Sequence, residues 1–225
     1  MKTDINSEKF SRRFELFVAI FLGLTAVLTA YASWQSALWG GDQATNYTKG
    51  NAYIADANQY YNEASQNIAQ DTATWNEISS LRIDLAFAES SGNSDEVERI
   101  TYKLNQLIYE NVSADAAFAE AIAWADAQEE YASPFEMEGF SQSYYEQANT
   151  SYDEGWALIN SGAEANRLGD IQGLVTVVLA VVLFMLGIVS TFNNMRTKLV
   201  VSVISLVAFI FGIVIMLGVP FHPLA

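Results

Sequence analysis

Apolar residues gather into three uninterrupted stretches, and between the first two the pattern turns periodic. Residues 14–34 are 21 positions whose only charge is Glu15, residues 171–192 are 22 uncharged positions, and residues 199–219 form a third uncharged run. At about 1.5 Å of rise per helical residue, each can cross a hydrocarbon core of about 30 Å. The pattern predicts three transmembrane helices.

From Tyr47 onward the spacing is seven. Tyr47, Ile54, Tyr61, Ile68 and Trp75 form one column, with a mostly small column of Gly50, Ala57, Ala64 and Ile78 three positions on. The signature returns before the second apolar stretch: Tyr145, Tyr152 and Ile159 recur every seven residues, as do Ala148, Gly155, Gly162 and Gly169. Large residues facing small ones predict two long helices that pack closely, in coiled-coil fashion, each continuous with a span.

Between them, Ser90 to Asp95 reads as a break, with Gly92 to stop one helix and Asn93 or Ser94 to cap the next. A helix to about Glu110, an alanine-rich helix over 114–132 capped by Ser113, a loop over 133–139 and a last helix from Ser141 or Ser143 complete the region. Gly40-Gly41 predicts either a kink or a short loop, since paired glycines weaken a helix. The expected fold is all-α: an integral membrane protein with three transmembrane helices and an extramembrane antiparallel helical bundle.

Charge supplies the expected topology. Lys2, Lys9, Arg12 and Arg13 precede the first span, and Arg196 and Lys198 lie between the second and third. Three spans put both segments on one side, and the positive-inside rule makes that side cytoplasmic. The expected layout is a cytoplasmic segment 1–13, span 14–34, an extracytoplasmic region 35–170, span 171–192, a cytoplasmic turn 193–198, span 199–219 and an extracytoplasmic tail 220–225. Trp34 and Trp39 suit an interfacial aromatic belt. Ala30-Tyr31-Ala32 offers a competing reading, the cleavage site of a signal peptide.

The net charge of −15 arises in the outer region, where 23 acidic residues face Lys49, Arg82, Arg99, Lys103 and Arg167. Such a surface repels nucleic acid, which is not an expected partner. With no cysteine, disulfides and thiolate chemistry are excluded. The only histidine, His222, reads as a solvated tail residue without a second ligand or base beside it. No nucleophile elbow or phosphate-binding glycine loop is present, so neither an enzyme nor a cofactor is expected. Two acidic groups, Glu89 with Asp95, Glu96 and Glu98, and Glu129, Glu130, Glu136 and Glu138, read as solvated loops because neither has a calcium-loop spacing. Asn46, Asn111 and Asn149 begin glycosylation sequons.

Thr25, Thr29 and Ser33, at spacing four, could line a pore formed by several copies, or simply let helices approach in lipid; Gly169 and Gly173 carry the same double reading. The stretches Phe14 to Val18 and Ala37 to Gly41 and the surroundings of Arg196 resemble uncharacterised prokaryotic three-span membrane proteins with an extracytoplasmic helical domain. In architecture alone the outer region resembles the four-helix sensor domains of bacterial chemoreceptors, but a third span stands where a signalling module would follow. The expected function is a membrane scaffold or accessory protein in the lipid bilayer, acting through helical contacts with itself or with another membrane or extracytoplasmic protein. The alternatives are a homo-oligomeric channel and a ligand sensor with a pocket lined by Tyr60, Tyr61, Tyr144 or Trp156.

Overall fold

A computed structural model describes residues 2–128 and 131–223, and among these every regular element is helical. The order is α1 (Lys2–Ser91), α2 (Ser94–Asn111), α3 (Ala116–Asp126), a 3₁₀ turn (Pro134–Glu136), α4 (Phe140–Ser143), α5 (Glu146–Val189) and α6 (Met195–Leu217). Three of these helices, α1, α5 and α6, are long and apolar enough to cross a membrane. Both long helices run without interruption from their apolar stretch into their heptad stretch. Helix α1 passes through Gly40-Gly41 as helix, which removes the short-loop reading.

Chain ends of the helices follow local chemistry. Gly92 takes a φ of 70°, a left-handed geometry that glycine tolerates best, and Asn93 caps α2 by accepting from the Glu96 N–H at 3.3 Å. Helix α3 is capped by Asp115 and not by Ser113: the Asp115 carboxylate accepts from the Ala117 and Phe118 N–H groups at 2.9 and 3.0 Å. The Ser113 hydroxyl instead donates back to the Tyr109 carbonyl at 2.5 Å. The turn between the last two helices comes earlier than residues 193–198, because α5 ends at Val189 and Asn194 caps α6 through the Arg196 N–H at 2.9 Å.

The chain divides into two compact units, Met1–Gly50 with Ala157–Ala225, and Asn51–Trp156. In the first, which holds the three apolar stretches, Val18 and Phe21 of α1 pack with Val182, Leu186 and Val189 of α5, and Phe209 of α6 meets Phe21 edge-on at 4.9 Å. Ala32, the last residue of Ala30-Tyr31-Ala32, is fully buried against Val175 and Leu179, whereas Ala30 is exposed and Tyr31 half-buried. In the second, Trp75 and Ile78 of α1, Phe118, Ala121, Ile122 and Ala125 of α3, and Phe140 of α4 share a core, with Leu104, Leu107 and Ile108 of α2 against it. Burying an aliphatic or aromatic side chain contributes about 1.5–3 kcal/mol, so this cluster is the main stabilising feature of that unit.

Candidate functional site

The small columns are the buried ones. Gly50, Ala57, Ala64 and Ile78 of α1 are all enclosed, as are Ala148, Gly155, Gly162 and Gly169 of α5. The large residues beside them flank these seams: Tyr47, Ile54, Ile68, Tyr145, Tyr152 and Ile159 are half-buried, Tyr61 is exposed, and only Trp75 is fully enclosed. In the apolar unit Gly162 lies under the Tyr47 ring, where an added Cβ would stand 2.7 Å from a ring carbon. Gly169 lies against Ser36, Trp39 and Gly40, Gly173 against Ser36, and the Ser36 hydroxyl donates to the Gly169 carbonyl at 2.9 Å. In the unit Asn51–Trp156, Tyr61 stacks obliquely on Tyr145 at 5.0 Å, and the Tyr152 hydroxyl donates to Asn58 Oδ1.

Thr25, Thr29 and Ser33 do not share one environment. Thr25 is fully buried and donates to the Phe21 carbonyl at 2.8 Å, Thr29 is half-buried and donates to the Thr25 carbonyl at 2.7 Å, and Ser33 is exposed. Of the aromatics suggested for a ligand pocket, Trp156 and Tyr61 are exposed, Tyr60 is half-buried, and Tyr144 is engaged by Asp71.

That engagement is the first feature the heptad reading passed over. Asp71 occupies the small column's vacant place between Ala64 and Ile78, and the Tyr144 hydroxyl donates to its Oδ2. Burial pushes the Asp71 carboxyl above its ordinary value, the tyrosine bond pulls it back, and the charge of Asp115 adds to the push. Burial, that hydrogen bond and the Asp71 charge drive the Tyr144 phenol upward, so it remains a donor. The gap in the column was the signal that marked Asp71.

The second is a clamp on the segment after α6. Gln35, fully buried on α1, receives the His222 N–H on its Oε1 at 2.8 Å and offers its Nε2 to the His222 carbonyl at 3.4 Å. The imidazole meets the Trp39 ring edge-on at 4.6 Å. Its Nε2 lies 2.8 Å from Asp42 Oδ2 and its Nδ1 2.7 Å from the Pro223 carbonyl. Both ring nitrogens therefore face acceptors, which only the doubly protonated ring can satisfy. The Asp42 hydrogen bond is the main cause that raises the His222 pKa, against desolvation. The His222 ring is thus held at both nitrogens with 12% side-chain exposure, not the solvated residue expected of a tail.

The unit Asn51–Trp156 also carries a half-open groove of about 440 Å³, lined by Trp75, Ser79, Arg82, Asp126 and Tyr131 among others. Arg82 lies over the Trp75 ring at 5.4 Å and binds Asp126 in bidentate fashion, through bonds of 2.5 and 2.8 Å. The Trp75 indole N–H and the Ser79 hydroxyl are both enclosed there without a protein partner. Of the acidic groups, Glu129 and Glu130 lie outside the described residues; among the described residues no three acidic or histidine side chains converge as a metal site.

No protein-family model, curated protein or solved structure matches this chain.

Proposed function

We propose that the protein is a non-enzymatic membrane scaffold or accessory protein, with three spans in the bilayer and an acidic extracytoplasmic helical bundle that docks other proteins or further copies of itself. The observation that carries this reading is the set of large apolar side chains left open on the acidic unit. Phe87 is 75% exposed, Tyr109 74% and Tyr131 79%, with Ile83 and Tyr102 comparably open. Nothing in a lipid environment accounts for them, because the unit's net charge keeps it in water, and aromatic side chains dominate the energy of protein interfaces. The N-terminal segment and the turn before α6 are placed in the cytoplasm on the strength of their lysines and arginines.

Photo-crosslinking in native membranes tests the docking role. A photoreactive residue at Phe87 or Tyr109 is expected to give discrete crosslinked species, and one at the exposed polar position Gln66 is not. Equal or absent crosslinking at all three positions would remove the support for a docking surface. The mass of the protein in native membrane discs then separates self-association from a different partner.

The groove beside Trp75 supports a second reading, a ligand sensor. Two unpartnered donors, the Trp75 indole and the Ser79 hydroxyl, suit a ligand with an acceptor group and an apolar body. A pore draws less support, since Thr25 is enclosed within the single chain.

A further inference from the structure

At the end of the apolar unit that holds Arg12 and Lys198, α1, α5 and the start of α6 leave a lateral slot of about 190 Å³. Its apolar walls are Val18 and Leu22 on α1 and Leu186 on α5, and at Gly187 an added Cβ would meet open space. Lys198 lines the slot with only 14% of its side chain exposed, and its ammonium is 3.7 Å from Glu15. Arg12 and Arg13 border an adjoining depression that shares Glu15 and Ala19 with the slot.

This is an unusual pairing of surfaces. The slot is lined by one cation, Lys198, and one carboxylate, Glu15; with the adjoining depression, the described lining residues carry three cations against that single carboxylate, in a protein that as a whole is strongly negative. The long bond to Glu15 leaves donor capacity on the Lys198 ammonium, which carries three N–H groups. An acyl chain fits the apolar part, and a phosphate carries the charge that the mouth lacks.

We propose that this slot is a binding site for one anionic phospholipid, its acyl chain against Val18, Leu22 and Gly187 and its phosphate at Lys198 and Arg12. The site rests on the reading that these helices span the bilayer. Basic pockets between spans on the cytoplasmic side are suited to such headgroups. Lys198 supplies the charge within the slot, Arg12 a second one from the adjoining depression, and Glu15 opposes binding.

The test is native mass spectrometry of the full-length protein in detergent, titrated with dioleoyl phosphatidylglycerol or dioleoyl phosphatidylcholine. The wild type is expected to retain one phosphatidylglycerol, preferred roughly fivefold or more over phosphatidylcholine. Lys198→Gln brings the two lipids level, and Arg12→Gln lowers the preference in part, serving also if the first variant fails to insert. Gly187→Leu fills the slot and lowers retention of both lipids, whereas Val177→Ala, on an open face of α5, changes neither. Glu15→Gln is expected to strengthen phosphatidylglycerol binding, which a merely structural Lys198–Glu15 pair would not produce. Equal retention of the two lipids by the wild type, or a preference unmoved by the Lys198, Arg12 and Gly187 variants, overturns the site. Carbonate extraction of the membranes tests the spanning reading separately: a protein that stays embedded but shows no lipid preference refutes the slot alone.

Discussion

Asp71 and His222 show how a single titratable side chain sets local behaviour in a chain with little other chemistry. The folded Asp71 carboxyl titrates above its ordinary value of 3.8, so the stability of the outer unit falls as pH rises through the interval from that value to the raised one. Asp71→Asn keeps an acceptor for Tyr144 without the charge. It is expected to raise the unfolding temperature at pH 7, corresponding to at most about 1 kcal/mol in this half-exposed setting, and to lose its advantage below pH 3.8. A melt of the full chain in lipid discs across pH checks this; an advantage that persists in acid refutes the assignment. His222 has the opposite sign. The stability that its charged ring adds to the segment after α6 is fully present below the ordinary histidine value of 6.5 and is lost as pH rises through the raised folded value, while the Gln35 bonds to its backbone do not titrate. Because the chain has one histidine, its ring resonance is unambiguous. The NMR titration is expected above 6.5 in the wild type and nearer to it in Asp42→Asn, and a titration at 6.5 in both sinks the clamp as described. Neither pairing was fully legible in the sequence. The empty place in the heptad column pointed at Asp71, but Gln35 and His222 are 187 positions apart and no periodicity joins them.

At the scale of elements, glycine identity separates positions that look alike. Gly40 and Gly41 have open space where a Cβ would sit, so alanine at either is expected to stabilise α1 by about 1 kcal/mol through helix propensity alone. Gly162 does not: its Cβ would press on the Tyr47 ring, and Gly162→Val is expected to destabilise by about 1–3 kcal/mol through overpacking. Thermal unfolding of the three variants in discs checks the ordering, and a Gly162→Val protein as stable as the wild type would contradict the packing of Tyr47. The small residues of the seams recur every seven along the sequence, and they are buried, while the large residues beside them are mostly half-buried. Helix ends were read less well. Ser113 and Asp115 are both good caps by residue type, and in the fold Asp115 caps α3, which begins at Ala116 and buries Phe118. The end of α5 at Val189 has the same character, since hydropathy continues to Phe192 while the Asn194 cap sets where α6 begins.

At the scale of the molecule, hydropathy marked the three long apolar helices plainly, and the charge contrast between the short basic segments and the acidic middle gives the orientation its test. The chain has no cysteine, so single cysteines can be introduced without background. A membrane-impermeant maleimide added to intact cells is expected to label Asn105→Cys on α2 and to leave Asn193→Cys in the turn before α6 unlabelled until the membrane is opened. The reverse pattern inverts the proposed topology, and labelling of both in intact cells argues against spanning. What hydropathy and charge do not carry is which large apolar side chains stay open, because the exposure of Phe87 and Tyr109 is a property of the folded unit.

A column of small residues repeating every seven positions has a weakness: sliding one helix past its neighbour by two turns brings like against like at little cost. Within the outer unit Asp71 breaks that degeneracy. A shift by one heptad presents Ala64 or Ile78 to the Tyr144 hydroxyl, leaves a half-buried donor and a half-buried carboxylate apart, and separates Tyr152 from Asn58 at the same time. The charge that weakens this seam at neutral pH thus works as a detent, holding a sliding contact in one register.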